Sequence, residues 1–151
     1  MEHPETSPEL LALLNEALAR ELQVSVQYML QHAIEAGHGS TASGKTPAAR
    51  QTRFVASHSS YFLPGATLKK IAIAEMRHAE AIAERIILLG GEPPTQPAGI
   101  ATGNTVVEML ENDREEEQGA IRLYGQVIDV AAKGHDDVTR DLFQRILADE
   151  Q

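Results

Sequence analysis

Residues 72–80, Ala-Ile-Ala-Glu-Met-Arg-His-Ala-Glu, decide the fold of this 151-residue chain. Glu75 and His78 are three residues apart, so a helix places both side chains on one face. That face is apolar, because it belongs to the repeat Leu68, Ile71, Glu75, His78, Ile82 and Leu89. A carboxylate in an apolar stripe is costly unless it is paired or binds a metal. The stretch therefore predicts a metal site inside a helical bundle, provided that other helices supply matching ligands.

The composition limits the class of protein. Apolar residues make up 42% of the chain and aromatic residues 4%, which is typical of a helical bundle in a single domain. The absence of cysteine excludes disulfides, thiolate metal sites and a rubredoxin-like iron module. The net charge of −9 disfavours binding to nucleic acid, and no apolar run reaches the ~18 residues of a membrane span. Residues 1–8 do not resemble a signal peptide, so we expect a cytoplasmic protein.

Caps and glycines predict four helices in one domain, 1–151. The helices cover about 8–36, 67–89, 105–133 and 137–151. Residues 38–64 form a long polar connection, which we expect to be an insertion over one end of the bundle. Residues 91–104 contain three prolines and are long enough for a crossover between helices two and three. The fourth helix is shorter than the others and would leave an apolar seam uncovered, so we expect the natural protein to continue past residue 151.

An acidic residue lies on the inner stripe of each predicted helix. Glu21 falls in the stripe Leu11, Leu14, Leu18, Ser25 and Tyr28. Glu117 falls in the stripe Val106, Leu110, Asp113, Ala120, Tyr124 and Val127. Glu150 shares a side of helix four with Phe143 and Ile146. Four acids on four inner stripes, together with His78, are hard to explain as solvated helix faces.

As a set, these motifs resemble the ferritin-like superfamily, and bacterioferritins in particular. The matching segments are 21–28 (Glu-Leu-Gln-Val-Ser-Val-Gln-Tyr), 75–80, 84–93, 108–113, 117–124, 139–143 and 146–150. The resemblance covers nearly the whole chain outside 38–64. It implies an all-α, ferritin-like four-helix bundle with a long crossover between helices two and three, and a fourth helix that is truncated.

The resemblance also implies a centre for two iron ions, with manganese as an alternative metal. Glu21 and Glu117 would be terminal ligands, and Glu75 and Glu150 would bridge the two metals. His78 would complete the coordination of one metal. The corresponding histidine for the other metal would lie beyond the end of the chain.

Three further residues have roles that the resemblance implies. Tyr28 and Tyr124 each follow a terminal ligand by seven residues and would hydrogen-bond ligand carboxylates. Met76 falls on the position of the methionine that ligates haem across a two-fold interface in bacterioferritins. Methionine is also an ordinary core filler, so haem stays open. The resemblance implies a homo-oligomer, either a two-fold dimer or a cage.

The implied function is oxidation of Fe(II) with O₂ or peroxide by a ferroxidase centre, followed by iron storage. One alternative is a rubrerythrin-like or manganese catalase-like enzyme that handles peroxide on the same bundle. Another alternative is a metal-free interaction bundle whose 38–64 connection binds a partner. Its signature would be a buried, metal-free site with raised carboxylate pKa values.

Overall fold

The computed structural model describes residues 6–39 and 65–150. These ranges contain four α-helices and no β-strand: α1 (Pro8–Gly39), α2 (Gly65–Leu88), α3 (Val106–Lys133) and α4 (Asp137–Asp149). The predicted all-α fold is therefore confirmed. No helix in the described ranges combines the length and apolar character that a membrane crossing requires. The predicted 38–64 connection lies outside the described residues from residue 40 onward.

Side-chain caps start two of the helices as the sequence predicts. The Ser7 hydroxyl accepts a hydrogen bond from the Leu10 N–H at 3.4 Å at the start of α1. At the start of α3, the Thr105 hydroxyl accepts from the Glu108 N–H at 3.1 Å. The Glu108 carboxylate accepts from the Asn104 N–H at 2.7 Å. These two bonds form the capping box of a Thr-x-x-Glu sequence, with its return bond displaced by one residue.

The helix ends differ in detail from the predicted boundaries. α1 does not stop near residue 36 but continues to Gly39, because a glycine inside a helix costs only about 1 kcal/mol. α2 ends at Leu88, and Gly90 takes the left-handed conformation with φ 79°. After α3, Gly134 keeps a right-handed φ of −81°, and His135 takes the left-handed position with φ 57°.

Two apolar clusters fill the bundle, and a polar layer lies between them. The larger cluster includes Leu10, Leu14, Leu18, Ile82, Ile86, Tyr124, Val127, Phe143 and Ile146. The smaller cluster consists of Val24, Tyr28, Leu68 and Ala72, with Ile71 packed against it. Glu21 on α1 and Glu75 on α2 are buried where one cluster gives way to the other. The sequence repeats therefore place both acids inside the bundle, as predicted.

The predicted inner stripe of α3 is confirmed only in its second half. Ala120, Tyr124 and Val127 are buried, whereas Leu110 and Glu117 are exposed. The Val106 side chain lies outside the described part of the structure. The 13 residues of α4 span about 20 Å against about 42 Å for the 28 residues of α3. α4 therefore covers the half of α3 nearest the turn that joins them.

The segment between α2 and α3 runs along α1. The Ala98 N–H donates to the Ala19 carbonyl at 2.8 Å, and the Ala101 N–H donates to the Gln27 side-chain oxygen at 3.2 Å. Ala19 and Gln27 lie eight residues apart, which is about 12 Å along a helix. This path agrees with the predicted long crossover.

Candidate metal centre

Four side chains from three elements converge in the polar layer of the bundle. Glu21 comes from α1, Glu75 and His78 from α2, and Glu150 from the C-cap of α4. Each offers one oxygen or nitrogen, and these four atoms all lie within 4.8 Å of one another. The i, i+3 spacing of Glu75 and His78 on α2 aims both at the same point, as the sequence predicts.

The imidazole of His78 is the centre of the group. Its Nδ1 atom lies 3.4 Å from a Glu75 oxygen, 3.4 Å from a Glu150 oxygen and 3.8 Å from a Glu21 oxygen. Nδ1 of His78, Oε2 of Glu21 and Oε1 of Glu150 are buried and have no hydrogen-bond partner in the described ranges. Buried polar atoms without partners are costly. A cation bound among them would satisfy all three, and this donor set suits a divalent transition metal.

Asp149 is a residue that the sequence reasoning missed. One of its carboxylate oxygens lies 3.4 Å from Nε2, the second ring nitrogen of His78. A carboxylate at this position fixes the tautomer and orientation of a metal-binding histidine. Asp149 neighbours the predicted ligand Glu150, but its side chain is mostly exposed and it belongs to no apolar stripe. Its role becomes visible only when α4 lies beside α2.

Burial and close charges shift the pKa values of the group. Burial, with the neighbouring Glu75, raises the pKa of Glu21 to about 9. Burial also acts to raise the pKa of Glu75. The close side chains of His78 and Glu21 outweigh this effect, so the pKa of Glu75 is lowered. Glu150 and Glu75 raise the pKa of His78 to about 10 against the effect of burial. Near neutral pH the metal-free group therefore holds protons on Glu21 and His78, which a bound cation would displace.

Tyr124 supports the group from α3. Its hydroxyl donates a hydrogen bond to Oε1 of Glu21. Its ring packs edge-to-face on Phe143, with centroids 5.4 Å apart. Burial and the Glu21 charge raise the pKa of Tyr124 well above its usual range, so the phenol stays protonated and keeps donating. The hydroxyl of Tyr124 on α3 therefore bonds a carboxylate of α1, the predicted ligand Glu21.

Glu117 and Tyr28 lie beside the group of four. Glu117 is exposed and is not one of the four converging residues. Partial burial, followed by the Glu150, Asp113 and Glu75 carboxylates, raises the pKa of Glu117. The charges of the group therefore act on the Glu117 carboxylate. Tyr28 is buried, and its pKa is raised by burial and then by Asp113 and Glu117.

Met76, the predicted haem ligand, is on the outside of α2. Its side chain is 56% exposed, although the neighbouring Glu75 is buried. The residue does not fill the core within this chain, which removes the alternative of an ordinary core methionine.

The chain matches the family model described as Ferritin-like domain over residues 61–151. A bacterioferritin from Desulfovibrio desulfuricans is 38% identical over 144 residues, which cover 95% of this chain and 69% of the relative. A bacterioferritin from Streptomyces coelicolor is 36% identical over 145 residues, covering 95% of this chain and 74% of the relative.

Solved structures give the same result. The Desulfovibrio desulfuricans bacterioferritin, whose structure describes the diiron site in different catalytic states, superposes with a TM-score of 0.73 at 37% identity, covering 95% of this chain and 72% of that chain. Rhodobacter capsulatus bacterioferritin, described with a metal-free dinuclear site and haem iron in a crystallographic special position, gives a TM-score of 0.76 at 25% identity, covering 97% and 79%. The chain therefore belongs to the ferritin-like family, among the bacterioferritins.

Proposed function

We propose that this chain binds Fe(II) as its substrate at a di-iron centre, oxidises it to Fe(III) with O₂ or peroxide, and stores the product. The observation that carries this proposal is the convergence of four donor side chains, three of which present a buried atom without a hydrogen-bond partner in the described ranges. Membership among the bacterioferritins supports the same function.

The residues of the proposed centre have different roles. Glu75 and Glu150 approach His78 at equal distances and are proposed as the carboxylates that bridge two iron ions. Glu21, held by Tyr124, is proposed as the terminal ligand on the same side as His78. Glu117 is proposed as the terminal ligand of the second iron, after its carboxylate turns inward from solvent. Each bound Fe(II) would give one electron to the oxidant, and mixed oxygen and imidazole ligands suit this metal.

One observation favours the competing reading of a metal-free interaction bundle. The raised pKa of Glu21 is the signature expected of a buried carboxylate without a metal. The same shift is compatible with a buried ligand carboxylate whose cation is absent, since the proton leaves when the metal binds. The binding of metal to the purified chain therefore separates the two readings.

Anaerobic titration with Fe(II), followed by admission of O₂, tests the proposal. We expect two Fe(II) per chain, rapid growth of ferric absorbance, and further uptake of iron by the assembly. The variant Glu75→Gln should lose most of this binding, whereas Glu80→Gln, an exposed glutamate on the same helix, should behave as wild type. No binding by the wild-type chain would overturn the proposal.

Two other outcomes would redirect the assignment. Two oxidised irons without further uptake would contradict storage and indicate a di-iron enzyme. Faster turnover of peroxide by the manganese-loaded chain than of O₂ by the iron-loaded chain would favour the manganese catalase-like alternative.

We also propose that Met76 ligates haem at a two-fold contact between two copies of the chain. The exposed thioether fits a ligand that a neighbouring subunit would cover, and methionine sulfur is an established haem ligand. Titration with haem should give the spectrum of a methionine-ligated iron, and Met76→Leu should abolish it. Met29→Leu, which removes a comparably exposed methionine from α1, is the matched control. Light scattering should report a mass that is a multiple of 16.4 kDa.

A further inference from the structure

Polar contacts join the first half of α3 to α1. Leu110 on its predicted inner stripe is 44% exposed. Among the described side chains of α3 that precede Ala120, only the apolar side chain of Met109 is buried. Apolar packing alone therefore gives little control over the rotation of this part of the helix.

Asp113 receives two hydrogen bonds from buried amides of α1. The side-chain N–H groups of Gln27 and Gln31 both donate to Oδ1 of Asp113, each at 2.9 Å. Gln27 is 0% and Gln31 is 1% exposed, so loss of the acceptor would leave buried donors unpaired. The two glutamines are four residues apart and form one patch on α1. This geometry holds a single point of α3 by two bonds from a rigid helix.

The crossover makes a further hydrogen bond to this cluster of Gln27, Gln31 and Asp113. The Ala101 N–H donates to Oε1 of Gln27 at 3.2 Å, which fixes the orientation of that amide. The Asn112 side chain donates to the Ala101 carbonyl at 3.2 Å. Gln27 thus has both ends of its amide bonded, one to the crossover and one to α3.

Glu117 lies one helical turn beyond Asp113, on the same face of α3. Burial, followed by the Glu150, Asp113 and Glu75 carboxylates, raises the pKa of Glu117, so charges of both the Asp113 cluster and the four converging residues act on it. A rotation of α3 about its axis would move Glu117 and Asp113 together. The bonds to Asp113 therefore limit the positions that Glu117 can take.

We propose that Asp113, held by Gln27 and Gln31, is a positioning residue that sets the rotation of α3 so that Glu117 can reach the second metal. This inference rests on the proposed di-iron function and assigns no ligand role to Asp113 itself. It predicts that damage to the cluster weakens one metal position and spares the other, because Glu21 and His78 lie on other helices.

Anaerobic titration with Co(II), followed by its visible absorption, tests the inference without turnover. The wild-type chain should bind two Co(II). Asp113→Ala should keep the first and weaken the second by about 10- to 100-fold, the usual loss when a group that orients a ligand is removed. Asp113→Asn keeps a carbonyl oxygen that accepts both glutamine bonds, so it should restore the second affinity. Glu111→Gln, which changes an exposed carboxylate of the same helix outside this cluster, is the control and should bind as wild type.

Hydrogen exchange in the metal-free chain gives a second readout. Amides of residues 107–117 should exchange faster in Asp113→Ala than in wild type and Asp113→Asn. If Asp113→Ala does not fold, Gln31→Leu removes one donor at similar volume and should show a smaller, equally selective loss.

The outcomes separate this inference from the function on which it rests. A wild-type chain that binds fewer than two Co(II) overturns the di-iron proposal and this inference with it. Two bound Co(II) with an unchanged second affinity in Asp113→Ala, or in Gln31→Leu if that variant is used, overturns the inference alone. Equal weakening of both metals, or a loss in Asp113→Asn as large as in Asp113→Ala, also overturns it.

Discussion

At the scale of single residues, Glu21 shows how a buried carboxylate is fixed in place at the candidate metal centre. It is 0% exposed, with one oxygen bonded to the Tyr124 hydroxyl and the other facing His78. Burial raises its pKa to about 9, and the Tyr124 bond acts in the opposite direction. The phenol thus fixes the position of the carboxylate and makes its charged form easier to reach.

The variant Tyr124→Phe should separate these contributions. It keeps the packing on Phe143 but leaves the Glu21 oxygen without its donor, so metal affinity should fall by about 10-fold or more. The free energy of unfolding should fall by about 1 kcal/mol. Co(II) titration and urea unfolding measure the two effects.

The matched control is Tyr28→Phe, because Tyr28 is buried but its hydroxyl is not bonded to Glu21. We expect a smaller loss of affinity in that variant. Equal losses in both variants would contradict the role assigned to the Tyr124 hydroxyl.

At the scale of secondary-structure elements, α4 depends on its N-terminal anchor. Asp136 caps α4 by accepting from the Thr139 N–H at 3.0 Å, and it pairs with Arg85 of α2 at 2.7 Å. Thr139 is buried and accepts a second bond from Arg85 at 2.8 Å. These contacts fix the start of the helix whose C-cap is Glu150. The proposed ligand Glu150 is therefore held from the opposite end of a 13-residue helix.

Removal of that anchor should affect both stability and metal binding. Asp136→Ala loses a helix cap and a charged hydrogen bond, so we expect a loss of about 2 to 3 kcal/mol. Metal affinity should fall because Glu150 is less well held. Asp137→Ala is the control, since that side chain is 70% exposed and pairs with Arg140 at the surface. A change of less than about 0.5 kcal/mol in both variants would show that α4 is held elsewhere.

The turn after α3 stores a small strain at His135. Its φ of 57° is a left-handed conformation that costs a non-glycine residue about 1 to 2 kcal/mol. His135→Gly should therefore stabilise the protein by about 0.5 to 1 kcal/mol in urea unfolding, after the entropy cost of glycine is subtracted. Gly134→Ala should have little effect, because φ is −81° there and an added Cβ would lie 3.5 Å from the nearest atom, the Val130 carbonyl oxygen. Destabilisation by His135→Gly would contradict this account.

At the scale of the whole molecule, the polar layer links stability to pH. The pKa of Glu21 is raised from 4.5 to about 9, and the pKa of His78 is raised from 6.5 to about 10. The native state therefore holds protons that the unfolded state has lost. Stability of the metal-free protein should therefore fall as pH rises from about 6.5 to 9. Bound metal replaces both protons, so the loaded protein should lack this fall.

Urea unfolding at pH 6.5, 8 and 9, with chelator or with Co(II), measures both curves. Glu21→Gln removes one titrating group and should reduce the slope of the metal-free curve. A metal-free protein whose stability rises over this pH range would contradict the assigned protonation states.

The local period of the sequence determined much of this protein. Apolar repeats, caps and glycines were enough to predict four helices and the long crossover. A carboxylate that interrupts an apolar stripe was enough to find Glu21 and Glu75. A buried charge is too costly unless it has a partner, so such a carboxylate marks a site. The Glu-x-x-His spacing likewise predicted that Glu75 and His78 point to one place.

The tertiary structure alone decided the contacts between helices. Asp149 reaches His78 only when α4 packs beside α2, and Glu117 is exposed although its helical stripe predicts burial. The hydrogen bonds from Gln27 and Gln31 to Asp113 cross from α1 to α3 and follow no sequence period. A helical repeat fixes the face on which a side chain lies. Its partner depends on the rotation and overlap of whole helices, which the packing of the complete chain sets.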